Sequence, residues 1–288
     1  MTELTKDTKI LIIGLGVIGG GYAEALTNAG YRHVRCITKD PEDIEYAKKR
    51  SMIEFGTTAV DEKLVRESEL IVFALYPHVF KEWVIAYRNL FSEGAIITDV
   101  TGVKSGIVEE IQALMPSGVE FISAHPMAGR EKSGVAFSDA KVFKGANYIV
   151  VPTEKNSERS ISICKALGEA LGFSKISELS VSEHDEMIAF LSQLTHCIAV
   201  ILMNSNEKQG LEAYTGDSFR DLTRIAKINE IMWSELFMLN RDALLAEMDS
   251  FIKKFTDFRE MLVSGNTDAM KAEMIKATKR RELFDKQQ

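Results

Sequence analysis

The sequence predicts a doubly wound, mainly parallel α/β sheet followed by an all-α domain. Near the start of the chain, an apolar run of strand length leads through a glycine turn into a helical pattern. Short β-rich runs then alternate with helical stretches up to about residue 177, and strand signals are absent after that point. Such alternation places helices on both faces of a parallel sheet. We therefore predict two domains, residues 1–177 and 178–288.

The first unit of this sheet carries a glycine motif. Residues 9–21, KILIIGLGVIGGG, combine a strand with G-x-G-x-x-G spacing, and a helical pattern follows from Tyr22 to Asn28. Glycines let the backbone approach phosphates, and the N–H groups of the next helix face their charge. The motif predicts a dinucleotide site, with a turn that binds no ligand as the alternative. The predicted contacts are Gly14, Gly16, Val17, Ile18 and Gly19.

The later elements of the first domain alternate in the same way. Period-2 and apolar runs predict strands, and amphipathic stretches between them predict helices. The predicted strands are Lys9–Ile13, Val34–Thr38, Leu70–Leu75, Ala95–Val100, Glu120–Ala124, Asn147–Val151 and Phe173–Ile176. The predicted helices are Pro41–Arg50, Val79–Asn89, Gly106–Leu114 and Ser157–Leu171.

The second domain is predicted to consist of long amphipathic helices, at Glu183–Asn206, Phe219–Ala226, Glu230–Leu262 and Thr267–Phe284. The third of these contains a stripe of Met and Phe that is large for a single small bundle. We expect an intertwined homodimer, and a core buried within one chain is the alternative. The stripe comprises Met232, Phe237, Met238, Met248, Phe251, Phe255, Phe258 and Met261.

Composition excludes several functions. A net charge of −7 disfavours nucleic-acid binding. No apolar segment approaches the length of a membrane span, and the polar N-terminus does not resemble a signal peptide, so we expect a cytoplasmic protein. The three cysteines contain no C-x-x-C pair, and the five histidines lack metal-ligand spacing. We expect no disulfide framework and no metal.

One histidine stands where chemistry is expected. The predicted strand Glu120–Ala124 leads into SAHPMAGREKSG, which places His125 at a carboxyl end of the sheet, before a glycine-rich loop. In doubly wound folds this edge faces the cofactor. An imidazole titrates near neutral pH, so His125 is the first candidate for an acid or base, with a structural role as the alternative.

Two motifs carry a resemblance to a family. H-P-M-A-G-x-E-x-S-G at His125 and D-L-T-R-I-A-x-x-x-x-x-M-W from Asp221 resemble the prephenate and arogenate dehydrogenases of tyrosine biosynthesis. The resemblance extends from Lys9 to about Phe284. It implies a Rossmann-type domain, an all-α dimerisation domain and the oxidative decarboxylation of a cyclohexadienol with NAD(P).

The resemblance also assigns roles to residues. It implies that His125 is the base at the ring hydroxyl, that Arg224 binds a substrate carboxylate and that His196 points into the substrate site. A surface pair of Arg224 with Asp221, and a structural role for His196, are the alternatives. Arg220 and Asp221 match positions near the active site.

This chain departs from the family pattern at several positions. Gln193 stands where many relatives have a second histidine, and an amide cannot titrate. Gly102 replaces a serine hydroxyl, for which Thr101 or Ser105 could substitute. Arg130 replaces a threonine; we hypothesise that it and the neighbouring Glu131 contribute to substrate binding, with a plain surface pair as the alternative.

The cofactor preference is predicted from the second strand. Thr38 stands where NAD-specific sites place a carboxylate, and Lys39 could attract a 2′-phosphate, which favours NADP over NAD. Asp40 could still bind a ribose hydroxyl, or serve only as a helix cap. The ends of the fourth and fifth strands supply further cofactor contacts at Leu75, Tyr76, Pro77 and Thr101. Trp233 is interpreted as packing.

Prephenate dehydrogenase is thus the leading prediction, with a small-molecule substrate. Arogenate dehydrogenase is the nearest alternative, and the positive charge of Arg130 favours prephenate because arogenate carries an ammonium. A β-hydroxyacid dehydrogenase or imine reductase is more remote, since those enzymes place Lys or Asp on the helical side. A dinucleotide-binding protein without activity is the non-enzymatic alternative.

Overall fold

The computed structural model describes residues 3–129, 132 and 134–285. The chain divides into two compact units, one ending at Asn240 and the other beginning at Arg241. Each unit is described by itself. The predicted domain boundary after residue 177 stays a prediction.

The larger unit is built on an eight-stranded sheet with the order β3-β2-β1-β4-β5-β6-β7-β8. All neighbouring strands are parallel except β6 and β7, which are antiparallel. The predicted fold class is confirmed. The strands are β1 Lys9–Ile13, β2 His33–Ile37, β3 Phe55–Thr57, β4 Leu70–Phe73, β5 Ile96–Asp99, β6 Glu120–Pro126, β7 Asn147–Val151 and β8 Lys175–Glu178.

Helices cover both faces of this sheet, as a doubly wound fold requires. Successive residues of β1 point to opposite faces, so Ile10 and Ile12 enter one hydrophobic core while Leu11 and Ile13 enter the other. The helices of the sheet region are α1 Val17–Asn28, α2 Pro41–Lys49, α3 Glu62–Glu67, α4 Pro77–Tyr87, α5 Val108–Leu114 and α6 Glu158–Ala170.

Two short elements were missing from the sequence prediction. The strand β3 has three residues, F-G-T, at the edge of the sheet, and the helix α3 has six. Segments of this length contain too few residues to display a hydrophobic period. Their presence completes the strand order without changing the predicted fold class.

The rest of the larger unit is helical. One helix runs from α7 Val181–Ile188 through a π-helical segment, Ala189–Leu194, into α8 Thr195–Asn204. It is followed by α9 Asp217–Thr223, a 3-10 turn at Arg224–Ala226, and α10 Glu230–Leu239. The smaller unit contains α11 Arg241–Val263 and α12 Thr267–Glu282, which pack against each other.

The predicted single helix over Glu230–Leu262 is wrong, because α10 ends at Leu239. The side chain of Asn240 is buried and donates hydrogen bonds to the carbonyl oxygen of Asp185 (2.9 Å) and to Oε1 of Gln193 (2.8 Å). Asn240 is the C-cap of α10, with a φ of −113° and a ψ of 28°, and these two bonds fix its side chain at the point where the helix ends. The helix that carries Asp185 is thereby attached to the end of α10.

The Met and Phe stripe of the second half is not a core within one chain. None of its eight residues is buried, and Met238 and Phe255 are 65% and 68% exposed. Further apolar side chains are exposed on α8, where Ile201 is 64% exposed. Apolar surface of this extent is typical of an association face.

The helix over Val181–Asn204 corrects one sequence expectation. With 24 residues and a mean hydropathy of 1.7 in its most apolar window, it is long and apolar enough to cross a membrane by length and composition. The expectation that no segment approaches that length was therefore wrong. Residues 187–204 hold polar side chains but no Asp, Glu, Lys or Arg, so the segment escapes a search for unbroken apolar runs. Helices in the cores of soluble proteins meet the same criteria.

Candidate active site

The glycine turn between β1 and α1 is closely packed on one side and open on the other. Gly14 has a φ of +94°, and a β-carbon there would lie 2.4 Å from the carbonyl oxygen of Ala74. A β-carbon at Gly19 would lie 2.0 Å from the carbonyl oxygen of Gly14. At Gly16, by contrast, no described atom beyond the glycine and its two chain neighbours lies within 4 Å of that position. The open space at Gly16, in front of the first turn of α1, fits a phosphate group.

The other predicted cofactor residues lie around this turn. The N–H of Gly14 donates to the carbonyl oxygen of Ile37, which joins the turn to the end of β2, just before Thr38 and Lys39. Thr38 is buried, whereas Lys39 is exposed. Leu75 follows β4 beside Gly14, and a β-carbon on Gly14 would lie 2.7 Å from its Cδ2.

The remaining candidates continue along the same edge of the sheet. Tyr76 is exposed, and Pro77 is the first residue of α4. The half-buried Val17 and Ile18 form the first turn of α1. Thr101 is buried just after β5, and its hydroxyl donates a hydrogen bond to the carboxylate of Asp99. These positions share the carboxyl edge of the parallel strands, where dinucleotides bind in doubly wound folds.

His125 lies at the carboxyl end of β6, paired with Ile149 of β7. A β-carbon at Gly102 would lie 3.9 Å from both Cε1 and Nε2 of the imidazole and 3.6 Å from Cδ1 of Leu236. The Nε2 edge of His125 therefore faces the glycine after β5. Burial lowers the pKa of His125 well below its ordinary value, and the charges of His184 and Lys104 act in the same direction.

The opposite nitrogen of His125 contacts a residue that the sequence analysis did not single out. Nδ1 of His125 lies 2.9 Å from Nε2 of His184, and Nδ1 of His184 lies 2.7 Å from Oδ1 of Asp185. His184 is fully buried on α7. The sequence signal is an adjacent His and Asp near the start of a helix, and such a dipeptide alone does not predict a site.

The carboxylate of Asp185 is anchored to the loop after β5. Oδ1 accepts from the N–H of Lys104 at 2.9 Å, and Oδ2 accepts from the N–H of Ser105 at 2.6 Å. Burial alone would raise the pKa of Asp185, but hydrogen bonds from His184 and Ser105 outweigh it and lower the pKa. Asp185 is therefore a carboxylate at neutral pH.

A buried ion pair lies beneath the same loop. Nζ of Lys104, which has no exposed surface, lies 3.1 Å from Oδ2 of Asp99 and donates to the carbonyl oxygen of Ala124 at 2.7 Å. Oδ1 of Asp99 accepts from the N–H of Ala124 at 3.0 Å. Burial lowers the pKa of Lys104, partly offset by the charge of Asp99. These bonds hold the end of β5 against the residue before His125.

His196 and Gln193 lie on the helix that follows. Nδ1 of His196 lies 2.8 Å from the carbonyl oxygen of Ser192, and its ring is stacked at a tilt on Trp233, with centroids 3.8 Å apart. Gln193 is buried, and its Nε2 donates to the carbonyl oxygen of Leu236 at 2.9 Å. Both ends of the Gln193 amide thus bond to protein groups, since Oε1 accepts from Asn240.

The predicted arginines occupy an exposed surface near α8. Arg220 and Asp221 lie on α9 and Arg224 begins the 3-10 turn after it, and both elements pack against α8. Arg220 bonds Asp217 and the carbonyl oxygen of Thr215. Arg130 and Glu131 lie outside the described residues.

Contacts across the larger unit bring the helical elements to the sheet edge. Glu235 of α10 accepts a hydrogen bond from the N–H of His78 at 2.7 Å, at the start of α4. Nδ2 of Asn229 donates to the hydroxyl of Tyr76 at 3.2 Å. Together with Leu236 beside Gly102, these contacts place α10 along the edge that carries the glycine turn and His125.

Comparison with known proteins gives two family matches. Residues 22–176 match the nucleotide-binding domain of prephenate dehydrogenase, and residues 180–276 match the dimerization domain of prephenate dehydrogenase. Taken together, these matches extend over most of the chain.

Individual relatives agree with the family matches. Prephenate dehydrogenase of Lactococcus lactis is 31% identical over 91% of this chain and 73% of its own length. The Bacillus subtilis prephenate dehydrogenase is 28% identical over 88% of this chain and 70% of its own length. The structure of prephenate dehydrogenase from A. aeolicus in complex with hydroxyphenyl propionate and NAD+ has a TM-score of 0.89 at 26% identity, covering 98% of this chain and 99% of that one.

Proposed function

The chain belongs to the prephenate dehydrogenase family, and on that premise we infer that it catalyses the NAD(P)-dependent oxidative decarboxylation of prephenate to 4-hydroxyphenylpyruvate, a step of tyrosine biosynthesis. The observation that carries this function is the position of His125, whose Nε2 edge faces Gly102 at the carboxyl edge of a dinucleotide-binding sheet. The chain is an oxidoreductase.

In the proposed reaction, His125 is the base. Its Nε2 accepts the proton of the C4 hydroxyl of prephenate while the C4 hydride leaves, and the ring then loses its carboxylate as CO2. The proton returns from the imidazole to the oxygen of the phenol, so the base is regenerated. The lowered pKa of His125 keeps its imidazole neutral and ready to accept a proton.

We assign the dinucleotide to the glycine turn. Gly16 leaves room for the pyrophosphate, and the first turn of α1 directs its N–H groups toward it. The nicotinamide, when bound, supplies the hydride acceptor. Leu75, Tyr76, Pro77 and Thr101 are proposed to line its side of the site.

We propose NADP as the preferred cofactor. The A. aeolicus enzyme was solved with NAD+, yet in this chain the residue after β2 is Thr38, whose side chain has no charge to repel a 2′-phosphate. Lys39 beside it is exposed and can reach an anion. NAD is the alternative outcome of a direct comparison of the two cofactors.

We propose that Arg224 anchors a substrate carboxylate, because a guanidinium donates two parallel hydrogen bonds to such a group. Arg220 and Asp221 share its surface. His196, stacked on Trp233, and Gln193 on the same helix are assigned to the substrate side. Arg130 and Glu131 keep their proposed role in substrate binding, although no contact of theirs is described.

We further propose that the protein is a cytoplasmic homodimer. Residues 180–276 match a dimerization domain, and exposed Met and Phe side chains within them provide apolar surface for a second copy. Sedimentation of the purified protein at micromolar concentration measures this directly. A mass of one chain would contradict the dimer.

Steady-state turnover tests the proposed activity. Prephenate and arogenate are each supplied with NAD or NADP, and the absorbance of the reduced cofactor is followed. We expect the highest kcat/KM with prephenate, and a higher value with arogenate would change the assigned substrate. A protein that binds dinucleotide and turns over neither compound would overturn the activity.

Replacement of the base completes this test. His125→Asn should lower kcat by about 10²- to 10⁴-fold, because the base is lost, while the Kd for the dinucleotide changes little. His33→Asn is the matched control, since His33 is a surface histidine of β2 paired with Glu54. Undiminished turnover by His125→Asn would assign the base elsewhere.

A further inference from the structure

The buried pair His184 and Asp185 lies directly behind the proposed base, on the side of the imidazole away from Gly102. Three groups form one line of hydrogen bonds: His125, His184 at 2.9 Å, and Asp185 at 2.7 Å from His184. His184 is fully buried and Asp185 is 3% exposed. The inference rests on the proposed function, because it concerns the base of that reaction.

The proton count along this line begins at Asp185. Its carboxylate already accepts the N–H groups of Lys104 and Ser105, at 2.9 and 2.6 Å. Two backbone donors favour the ionised form. An ionised carboxylate can only accept hydrogen bonds. Nδ1 of His184 must therefore carry the proton in its bond to Asp185.

The state of the second imidazole follows. Burial lowers the pKa of His184, so its ring is neutral at physiological pH. A neutral imidazole with a proton on Nδ1 presents a lone pair at Nε2. This lone pair accepts from His125, and the donor is Nδ1 of His125. The remaining nitrogen of His125, Nε2, then has no proton.

We propose that Asp185 and His184 are positioning residues that fix His125 in the tautomer with a bare Nε2, the nitrogen that faces Gly102. His184 and Asp185 determine which nitrogen of His125 accepts a proton, and they do so without contacting substrate or cofactor. When Nε2 accepts the substrate proton, His125 becomes an imidazolium, and its Nδ1–H bond to His184 persists. The negative charge of Asp185 then lies at the far end of the same line.

Other charged groups nearby do not change the direction in which His125 donates to His184 and His184 donates to Asp185. Lys104 directs its ammonium away to Asp99 and to the carbonyl oxygen of Ala124. It contacts Asp185 through its backbone N–H. Thr101, which the sequence analysis considered as an orienting hydroxyl, bonds Asp99 and accepts from Lys104. The described contact to the ring nitrogen of His125 comes from His184.

The direct test is the tautomer of His125 in the whole protein without substrate. The chain has five histidines, so a two-bond proton–nitrogen correlation spectrum of protein labelled with ¹⁵N-histidine resolves them. His125 is assigned from the signal lost in His125→Gln. At neutral pH we expect a proton on Nδ1 and none on Nε2. A proton on Nε2 in the wild-type protein would overturn the proposal.

Asp185→Asn supplies the second arm. The amide is a weaker acceptor than the carboxylate, so it no longer fixes the proton on Nδ1 of His184. The share of His125 with its proton on Nε2 should therefore rise, and kcat should fall by about 10²- to 10⁴-fold with little change in KM. Unchanged kcat, or a loss of kcat with the wild-type tautomer intact, would contradict the proposal.

His184→Gln keeps the test decisive if Asp185→Asn does not fold. Its carbonyl oxygen can still accept from Nδ1 of His125 and its N–H can still donate to Asp185, so we expect the wild-type tautomer and kcat within about tenfold, whereas His184→Leu loses both. Equal kcat in the two variants would reject a positioning role. Because the spectrum needs no substrate, a protein that fails to turn over prephenate yet shows the expected tautomer rejects only the proposed function.

Discussion

The carbonyl oxygen of Gly14 occupies the space where a side chain at Gly19 would begin: a β-carbon on Gly19 would lie 2.0 Å from it. The backbones of these two glycines therefore approach each other so closely that no side chain fits at Gly19. Gly16, between them, has no such neighbour among the described atoms. The same residue type thus serves packing at one position and leaves open space at the other.

This difference predicts opposite results for two alanine variants. Gly19→Ala should lower the free energy of unfolding by about 1–3 kcal/mol, because the backbone must move to admit a methyl group. Gly16→Ala should change it by less than about 0.5 kcal/mol and should instead raise the KM for the dinucleotide. Thermal unfolding without cofactor and cofactor titration measure the two effects. Equal loss of stability in both variants would contradict the open space at Gly16, and an unchanged KM in Gly16→Ala would contradict its assignment to the phosphate.

The pH dependence of kcat/KM follows from the lowered pKa of His125. The base reacts in its neutral form, so activity is lost as the pH falls through that pKa. Because burial lowers the pKa of His125, the loss of activity should begin below the ordinary imidazole value of about 6.5. Activity should not change with pH just above that value. Far-UV circular dichroism over the same range separates titration from unfolding. An acid limb centred at or above that value would exclude His125 as the titrating base.

Lys39 is the residue on which the cofactor prediction depends. Lys39→Ala should reduce kcat/KM with NADP by about fivefold, the size of an exposed charge interaction, and leave kcat/KM with NAD unchanged. Lys49→Ala, at the opposite end of α2, is the control. An equal change with both cofactors would mean that Lys39 does not contact the 2′-phosphate.

Arg224 provides a prediction for the substrate. Arg224→Ala should lower kcat/KM for prephenate by about 10- to 100-fold, through the loss of charge-assisted hydrogen bonds, while the Kd of the dinucleotide stays constant. Arg224→Lys should recover part of the loss, because an ammonium keeps the charge without the paired donors. Arg66→Ala, on α3, is the surface control. Wild-type kinetics in Arg224→Ala would reassign the carboxylate site.

Long and strongly patterned elements could be predicted from the sequence. The strands Lys9–Ile13 and Asn147–Val151 have the predicted bounds, since both are apolar runs closed by turn residues. The strand at Phe55–Thr57 was missed because three residues carry no pattern. The helix end at Asn240 was missed because the Asn240 side chain bonds Asp185 and Gln193, which lie 55 and 47 positions earlier in the chain.

The site was predictable to a similar degree. His125 could be found because a strand end and a glycine loop mark it locally. His184 could not, since its role depends on a contact with a residue 59 positions away. Local sequence shows which residue can titrate. The partner that determines which nitrogen carries the proton is brought into contact only when β6 and α7 pack together in the fold.

The lysine buried under the β5 loop has a practical consequence for labelling. Lys104 has no exposed surface, and burial lowers its pKa, so a reagent that acylates amines cannot reach it while the sheet edge stays closed. Surface lysines such as Lys39 and Lys155 react at once. The rate at which Lys104 is labelled, followed by peptide mass spectrometry, would then measure how often the loop after β5 opens beneath His125.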